Sequence, residues 1–353
     1  METMYDCYLS QFSCFKKILV QKDNLLNGFT DFYHSTNPDR IYLVGSGTSF
    51  NACASAAEFM ESCLGIEIIT VAPTRIGKIY GKRALVIAVS QSGRSTNTIG
   101  ALRKIKDAGA AVVTLTDPKE TPVSMAGDLA LHLAADQELI GPKTRGYMAT
   151  VLTLHLLALE AGLAEGRLQR AFYDKSLNAY AETAALGEEY FATCQSFYDK
   201  NLDDLKSTGH VLFVGKGVSA KVADEGALKV LETLCYPASG YEYEEFLHGP
   251  ICCIDDKLAI FFFLAGDEDR NRMLKTADII SAATKNCYII SHDPEVQGEK
   301  ILYLPTPDAK LCSPFTDVLF SQLISAKLTE ALQRKRHPAV SDISSKMGTK
   351  TPE

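Results

Sequence analysis

The chain has 353 residues, which is enough for about two domains with a hydrophobic core each. The 43 acidic residues outnumber the 36 basic ones, so no excess positive charge is available to hold a nucleic acid or an anionic membrane. Ten cysteines lack metal-ligand spacing, and the N-terminus lacks the apolar run of an export signal. These features predict a cytoplasmic protein with reduced thiols, with no metal, no cofactor and no nucleic-acid or membrane partner.

Five short apolar runs in the first half predict buried β-strands. These runs begin at Ile41, Ile66, Ala84, Ala111 and Leu129. Helical patterns at 50–64 and 96–108 separate three of them, and Gly109 is placed to end the second helix in a left-handed conformation. Alternation of strand and helix predicts a parallel sheet that is covered on both faces.

The second half repeats this pattern. Its strand candidates begin at His210, near Tyr236, and at Lys257, Cys287 and Ile301. The first strand of each half ends in a comparable phrase, VGSGTSF and VGKGVSA, which places Gly47 and Gly217 at equivalent positions. We therefore predict an α/β fold of two tandem doubly wound units, each with a five-stranded parallel sheet flanked by helices.

The predicted domain boundaries follow from this repeat. Residues 1–166 contain N-terminal helices and the first unit, 167–206 form a helical connection of one or two helices, and 207–353 contain the second unit. After Lys327 the chain becomes basic and then polar. This composition favours a disordered tail, and the alternative is a loop that lies over the rest of the protein.

Two loops at the carboxyl ends of predicted strands are candidates for binding a phosphate. The phrase SQSGRSTNT at 90–98 offers hydroxyl and amide groups at the start of a helix, and GSGTS at 45–49 follows the first strand. Ligands of doubly wound sheets bind at this edge. Each loop alone is a weak signal, because glycine and serine are ordinary turn residues. The sequence has neither a complete G-x-G-x-x-G nor a G-x-x-x-x-G-K-[ST] motif, so nucleotide chemistry is not indicated.

With these loops, the repeat and the phrase EYEEFLHGPICCID, the chain resembles the sugar isomerase (SIS) domain family. It is most similar to the tandem arrangement in the isomerase half of glucosamine-6-phosphate synthase and in stand-alone fructosamine-6-phosphate deglycases. The resemblance covers about residues 20–353. Nothing in the sequence resembles the synthase's glutaminase domain, so glutamine-driven synthesis is not expected.

The resemblance implies that a 6-phosphorylated sugar derivative binds to the first unit. The binding residues that it implies are Ser46, Gly47, Thr48, Ser49, Ser90, Gln91, Ser92, Ser95, Lys143 and Thr144. Arg94 stands where the family commonly has an acidic or small residue, and Lys143 replaces a smaller residue. Lys143 and Arg145 are candidates for recognising a carboxylate on the substrate.

The catalytic residues that the resemblance implies lie in the second half. Glu232 precedes His248 by the family's sixteen-residue spacing, Glu225 shares a helix face with Glu232, and Lys346 matches the synthase's tail lysine more loosely. Glu232 would be the base, and the alternative is a solvated pair with Lys229. His248 suits ring opening or proton delivery to a departing amine.

Two further roles stay open at this point. Lys346 would stabilise an enolate-like intermediate or form a Schiff base, against the alternative of an ordinary solvated lysine. Glu245 would either orient His248 or cap its loop.

These residues together predict a phosphosugar-processing enzyme acting at C1 and C2, with a fructosamine-6-phosphate deglycase favoured. The alternatives are a glucosamine-6-phosphate deaminase, an aldose–ketose phosphosugar isomerase and, from another class, a non-catalytic sugar-phosphate sensor. The resemblance also implies a homodimer or higher homo-oligomer in which active sites are shared.

Overall fold

The computed structural model describes residues 2–264 and 269–351, and the chain divides into two compact units. The first unit comprises Ser10–Leu139, Lys143–Asn178 and His337–Glu353, and the second comprises Met1–Leu9, Ile140–Pro142 and Ala179–Arg336. This division differs from the boundaries drawn on the sequence, because the C-terminal tail groups with the first unit rather than with the second.

The first unit contains a five-stranded parallel sheet with strand order β2-β1-β3-β4-β5. Its strands are β1 (Arg40–Val44), β2 (Glu67–Val71), β3 (Ala84–Val89), β4 (Ala111–Thr116) and β5 (Leu129–His132). Its helices before the helical connection are α2 (Gln11–Leu25), α3 (Phe29–Thr36), α4 (Thr48–Leu64), α5 (Thr96–Asp107) and α6 (Arg145–Ala164). All six residues of the central strand β3 are buried, as expected for a strand with both faces covered.

Helix α6 lies in the core of the first unit. Among the described residues it is the one helix long and apolar enough to span a membrane by length and composition, and 83% of its most apolar window is buried in the protein. Its His155 is buried, and burial lowers the pKa of this imidazole to about 3. Such burial is typical of a core helix.

The second unit repeats the architecture with strand order β10-β9-β8-β6-β7, again all parallel. Its strands are β6 (His210–Gly215), β7 (Ala238–Glu242), β8 (Leu258–Phe263), β9 (Cys287–Ser291) and β10 (Ile301–Tyr303). Its helices are α1 (Met4–Leu9), α8 (Gly187–Lys206), α9 (Val218–Thr233), α10 (Tyr243–Leu247), α11 (Arg270–Ser281) and α12 (Ala309–Ala331). Stacked rings of Phe213, Phe261 and Tyr288, with centroids 5.1 and 5.0 Å apart, lie across adjacent strands of its core.

The structure confirms the predicted fold class and all ten strands, and Gly109 is left-handed with a φ of +76°. The helical connection is two helices, α7 (Arg170–Ala185) and α8, which separate at Leu186. The last two residues of the strand predicted from Lys257, Ala265 and Gly266, lie outside the described residues.

The expectation of a disordered tail is wrong. Residues 338–340 form a 3-10 turn, and α13 (Ile343–Lys346) follows. Beyond this helix the backbone pairs with the loop before α5, in an antiparallel bridge between Lys350 and Ser95. Composition did not reveal this, since the pairing uses backbone groups, which every residue except proline carries in full.

Candidate functional site

The segment that follows β3 forms a tight turn before α5. The amide of Gly93 donates to the carbonyl of Ser90 over 2.8 Å, and Gly93 has a φ of +66°. A Cβ atom at this position would lie 2.2 Å from the hydroxyl oxygen of Thr121, so only glycine fits. This turn exposes part of Ser92 and Ser95 at the start of a twelve-residue helix, where hydroxyl and amide groups favour an anion.

The second predicted loop lies beside the first. The side-chain amide of Asn97, in the first turn of α5, donates to the hydroxyl oxygen of Ser46 over 2.9 Å. Thr48 and Ser49 begin α4 and are each 7% exposed, and Gly47 has a φ of +56° and a ψ of −130°. The structure thus brings the two hydroxyl-bearing loops together at the carboxyl edge of the first sheet.

In the loop at 90–98, the other two residues predicted to bind a phosphate, Ser90 and Gln91, are buried. Ser90 is 4% exposed, and its amide donates to the carbonyl of Leu115. Gln91 is 9% exposed, and its side-chain amide donates to the hydroxyl of Thr150 over 3.4 Å. Both residues fasten the loop to the sheet and to α6, so the partly exposed Ser92 and Ser95 are the hydroxyls more open to a ligand.

The C-terminal tail completes this edge of the first unit. The amide of Thr96 donates to the carbonyl of Thr349 over 3.1 Å, and its hydroxyl donates to the carbonyl of Gly348 over 2.9 Å. In the opposite direction, the amide of Thr351 donates to the carbonyl of Arg94 over 2.9 Å. Lys350 therefore stands next to the candidate phosphate loop at 90–98, a position that the sequence analysis did not give it. Lys346 ends α13 and is exposed, four residues earlier in the same tail.

The segment between β5 and α6 uses its polar groups internally. The carboxylate of Glu138 is 6% exposed and accepts from the amides of Thr144, Arg145 and Gly146 at 2.9–3.2 Å, and from the Thr144 hydroxyl at 3.1 Å. A carboxylate at the positive end of a long helix is favourable. Glu138 is a capping residue that the sequence analysis missed, because it lies seven residues before the first residue of the helix.

This arrangement changes the interpretation of three predicted site residues. Thr144 is fully buried against Glu138, and the Lys143 ammonium donates to the backbone carbonyl of Glu138. Arg145 is 6% exposed, and its guanidinium donates to the carbonyls of Ala135 and Asp136, each over 2.6 Å. Thr144 and Arg145 therefore support the loop from within, contrary to the expectation that they face a ligand.

In the second unit, helix α9 carries a row of three charged residues. The ammonium of Lys229 lies 3.5 Å from a carboxylate oxygen of Glu225 and 2.5 Å from one of Glu232. The side chains of Lys229 and Glu225 are fully buried, while the side chain of Glu232 is 30% exposed. The expected pair of Glu232 and Lys229 is present, but the Lys229 ammonium is buried rather than solvated. This buried cation holds the Glu232 carboxylate in place at the edge of the core.

The carboxyl end of α9 is held by Arg336, which belongs to the same unit. The guanidinium of Arg336 donates to the backbone carbonyl of Glu232 over 3.2 and 3.4 Å. This carbonyl lies in the last turn of the helix, where carbonyl groups lack partners within the helix and cations are favourable. Arg336 therefore helps to fix the backbone of the candidate base.

The candidate histidine lies on an exposed, constrained loop. The backbone amide of His248 donates to the carbonyl of Glu245 over 3.1 Å, and Gly249 has a φ of +144°. Glu242 rather than Glu245 caps the preceding helix, because its carboxylate accepts from the amides of Glu244 and Glu245. Within residues 2–264 and 269–351, no hydrogen bond or ion pair joins His248 to Glu232.

The turn after β6 has the backbone of the GSGTS loop at 45–49 but different side chains. Gly217 has a φ of 57° and a ψ of −127°, nearly the values of Gly47. Lys216 occupies the place of Ser46 and forms an ion pair with Asp269, which also lies 3.2 Å from Arg272. Charged pairs therefore fill the edge of the second sheet where the first has hydroxyl groups.

A buried polar network lies behind that edge. The carboxylate of Asp317 accepts from the hydroxyl of Ser219 over 2.8 Å and lies 2.7 Å from Nε2 of His292, whose Nδ1 lies 2.8 Å from the carbonyl of Leu304. Burial disfavours the charged imidazole, but the ion pair and hydrogen bonds outweigh it, so the pKa of His292 is raised. Both ring nitrogens face acceptors, as a protonated histidine requires.

The chain thus combines two α/β units, each with a five-stranded parallel sheet, with a hydroxyl-lined loop at the carboxyl edge of the first sheet. The SIS domain family model matches residues 36–160 and 204–329, so the chain belongs to the SIS domain family, as the sequence analysis predicted.

Comparison with individual proteins agrees with this assignment. The chain is 24% identical over 298 residues to a glutamine–fructose-6-phosphate aminotransferase of Caldanaerobacter subterraneus, covering 81% of this chain and 48% of the relative. The chain thus spans about half the length of such relatives.

Solved structures show the same fold over nearly the whole chain. A protein of Clostridium difficile 630, provisionally assigned as a phosphosugar isomerase, has a TM-score of 0.91 at 26% identity and covers 100% of both chains. The C-terminal domain of glucosamine-fructose-6-phosphate aminotransferase from Francisella tularensis has a TM-score of 0.82 at 19% identity, covering 93% of this chain and 95% of that one. At that identity, the second likeness concerns the fold alone.

Proposed function

We propose that the protein is an enzyme that binds a 6-phosphorylated, amino-substituted sugar and transfers protons between C1 and C2, most specifically a fructosamine-6-phosphate deglycase. The observation that carries the proposal is the joined pair of loops in the first unit, with Asn97 donating to Ser46 and the tail paired with Ser95. This is an anion site built from hydroxyls and backbone amides rather than from a nucleotide motif.

In the proposed binding step, the phosphate lies against Ser92 and Ser95 at the start of α5. Hydroxyl donors and the positive end of a helix hold a phosphate in this way. Arg94 and Lys350 add positive charge at the same loop. Thr48 and Ser49, which begin α4, border the space available to the sugar.

In the proposed chemistry, Glu232 takes a proton from C1 of the open-chain ketosamine and an enaminol forms. Returning the proton to C2 gives an imine at C1, and water hydrolyses this imine to the free amine and a hexose 6-phosphate. His248 would assist ring opening or protonate the departing amine. Lys229 keeps the Glu232 carboxylate in one position.

The structure bears on the choice among reactions. A deglycase would need a cation such as Lys143 or Arg145 to recognise a carboxylate on the amine, but Arg145 is turned to the carbonyls of Ala135 and Asp136. Of the two residues predicted to recognise this carboxylate, Lys143 remains, and its ammonium already donates to the carbonyl of Glu138. The internal use of Arg145 favours the deaminase or isomerase as the second candidate, since these substrates carry no such carboxylate.

We propose further that the protein works in the cytoplasm as a homodimer in which His248 serves the sugar site of the partner. Support comes from the exposure of His248 and from its lack of contact with Glu232 among the described residues. Co-expressing differently tagged Glu232→Gln and His248→Ala subunits tests this. Purified heterodimers would recover about half of the wild-type activity, because one of the two symmetric sites is complete. Heterodimers as inactive as either parent would contradict shared sites.

The function is tested by mass spectrometry of a substrate panel in deuterated buffer. The panel contains fructose 6-phosphate, glucosamine 6-phosphate and several fructosamine 6-phosphates. Glu232→Gln should abolish amine release, and the control Glu188→Gln, on an exposed face of α8, should not. Release from a fructosamine 6-phosphate supports the deglycase, and release from glucosamine 6-phosphate identifies a deaminase. Deuterium incorporation without release indicates an isomerase.

Ligand binding without turnover of any panel member would make the sensor the better interpretation. The same panel therefore needs a binding measurement. We expect Ser92→Ala to weaken phosphosugar binding about 10- to 100-fold, because a hydrogen bond to a charged group contributes about 1.5–3 kcal/mol. Ser62→Ala, on an exposed part of α4, is the matched control and should bind normally.

A further inference from the structure

The accessible thiols of this chain lie beside the two proposed catalytic residues of the second unit. All ten cysteines are described, and seven of them are buried. The exposed ones are Cys235, Cys252 and Cys253. Cys235 follows Glu232 by three residues, and the adjacent pair follows His248 by four and five.

The buried thiols are unsuited to reaction. Burial raises the pKa of Cys14, Cys63 and Cys312 to about 12, so the reactive thiolate form is scarce at neutral pH. Burial also keeps oxidants away from them. Thiol chemistry in the folded protein is therefore confined to the three exposed positions.

The adjacent pair forms part of the loop that carries His248. Cys252 and Cys253 end the 3-10 turn that begins at Pro250. The amide of Cys252 donates to the carbonyl of Gly249 over 2.9 Å, and Gly249 is bonded directly to His248. Any change in the backbone at the pair therefore acts on the residue next to the histidine.

We propose that Cys252 and Cys253 are a modification site at which a peroxide forms a disulfide between neighbouring residues. One thiolate attacks the peroxide, its sulfur takes one oxygen, and hydroxide or alkoxide leaves. The second thiol attacks this sulfenic acid, water leaves, and the S–S bond forms. The two sulfurs lose two electrons in total and the peroxide gains them.

The geometry of neighbouring residues makes this bond strained and readily reduced. Consecutive Cα atoms across a trans peptide lie about 3.8 Å apart, whereas disulfides usually join Cα atoms about 4.4–6.8 Å apart. Strained, exposed disulfides have higher reduction potentials, so cellular thiols reverse them. Forming the bond changes the turn and displaces His248, which lowers turnover. This consequence rests on the proposed function, while the oxidation itself does not.

The test treats the unmutated full chain with hydrogen peroxide and measures intact mass, thiol count, turnover and hydrogen exchange of the Cys252 amide. Cys253→Ser removes the pair, and Cys235→Ser is the matched control that keeps it. We expect the wild type and Cys235→Ser to lose two hydrogen atoms at the pair. Turnover should fall at least about tenfold, since a 1 Å misplacement of a catalytic group costs about a hundredfold. Dithiothreitol should restore turnover, and the Cys253→Ser variant should keep its turnover after peroxide treatment.

Other results overturn the proposal. They are an unchanged mass, oxidation to sulfinic or sulfonic acid only, or a disulfide between two chains on a non-reducing gel. A disulfide that alters neither turnover nor exchange of the Cys252 amide refutes the link to His248. If the untreated protein acts on no panel substrate, the proposed function fails separately. In that case, faster exchange of the Cys252 amide after oxidation alone shows whether the disulfide alters the loop that carries His248.

Discussion

Replacing the buried Lys229 by methionine should strongly destabilise the second unit. The Lys229 ammonium lies 3.5 Å from a carboxylate oxygen of Glu225, and both side chains are fully buried. At an effective dielectric constant of about 20, Coulomb's law gives an attraction of about 5 kcal/mol at this distance. Methionine keeps the length of the side chain but leaves the carboxylate of Glu225 without its cation. Breaking a buried pair on one side costs about 3–5 kcal/mol, and we expect a loss in this range.

Urea unfolding followed by circular dichroism measures this loss, and a double-mutant cycle isolates its cause. Glu225→Gln combined with Lys229→Met should be more stable than Lys229→Met alone, since no buried charge then lacks a partner. Lys221→Met, on an exposed position of the same helix, should stay within about 0.5 kcal/mol of wild type. A Lys229→Met protein as stable as this control would refute the reasoning.

Three further changes have expected outcomes. Because the pKa of His292 is raised by Asp317, this pair contributes its full stability below the unfolded pKa of about 6.5 and loses it as pH rises through the folded pKa. The midpoint of thermal unfolding should therefore fall over that range in wild type. Asp317→Asn should abolish this fall, because burial, which disfavours the charged imidazole, then dominates. Gly93→Ala should destabilise the first unit by about 1–3 kcal/mol, because Gly93 has a φ of +66° and a Cβ atom there would collide with Thr121. An unchanged midpoint of urea unfolding would contradict this. Removing residues 348–353 should raise the KM for a phosphosugar while leaving the circular dichroism spectrum intact, and an unchanged KM would show that the paired tail does not assist binding.

The fold was predictable because its strands are nearly continuous apolar runs. The residues of β3 and β8 are all buried, and a run of six such residues bounded by turns is a strong local pattern. The phrases at Gly47 and Gly217 indicated the repeat, and both glycines adopt the same positive-φ conformation. Local sequence was sufficient for these features.

The site was predictable only in part, because several contacts join residues far apart in sequence. The carbonyls of Gly348 and Thr349 accept from the hydroxyl and the amide of Thr96, and backbone carbonyls leave no compositional signal. Arg145 was expected to face a ligand, yet it satisfies buried carbonyls of the preceding loop. Charge alone indicates that a side chain needs a partner, but not whether that partner belongs to the protein or to a ligand.

The shared backbone of the two loops has a consequence for protein engineering. Because Gly217 already adopts the φ and ψ of Gly47, a second hydroxyl-lined loop requires new side chains but no new turn. Lys216→Ser and Val218→Thr would copy the first loop, and Asp269 would lose its ion pair with Lys216 but keep the one with Arg272. The repeat thus provides a tolerant frame on which ligand chemistry can be exchanged independently of folding.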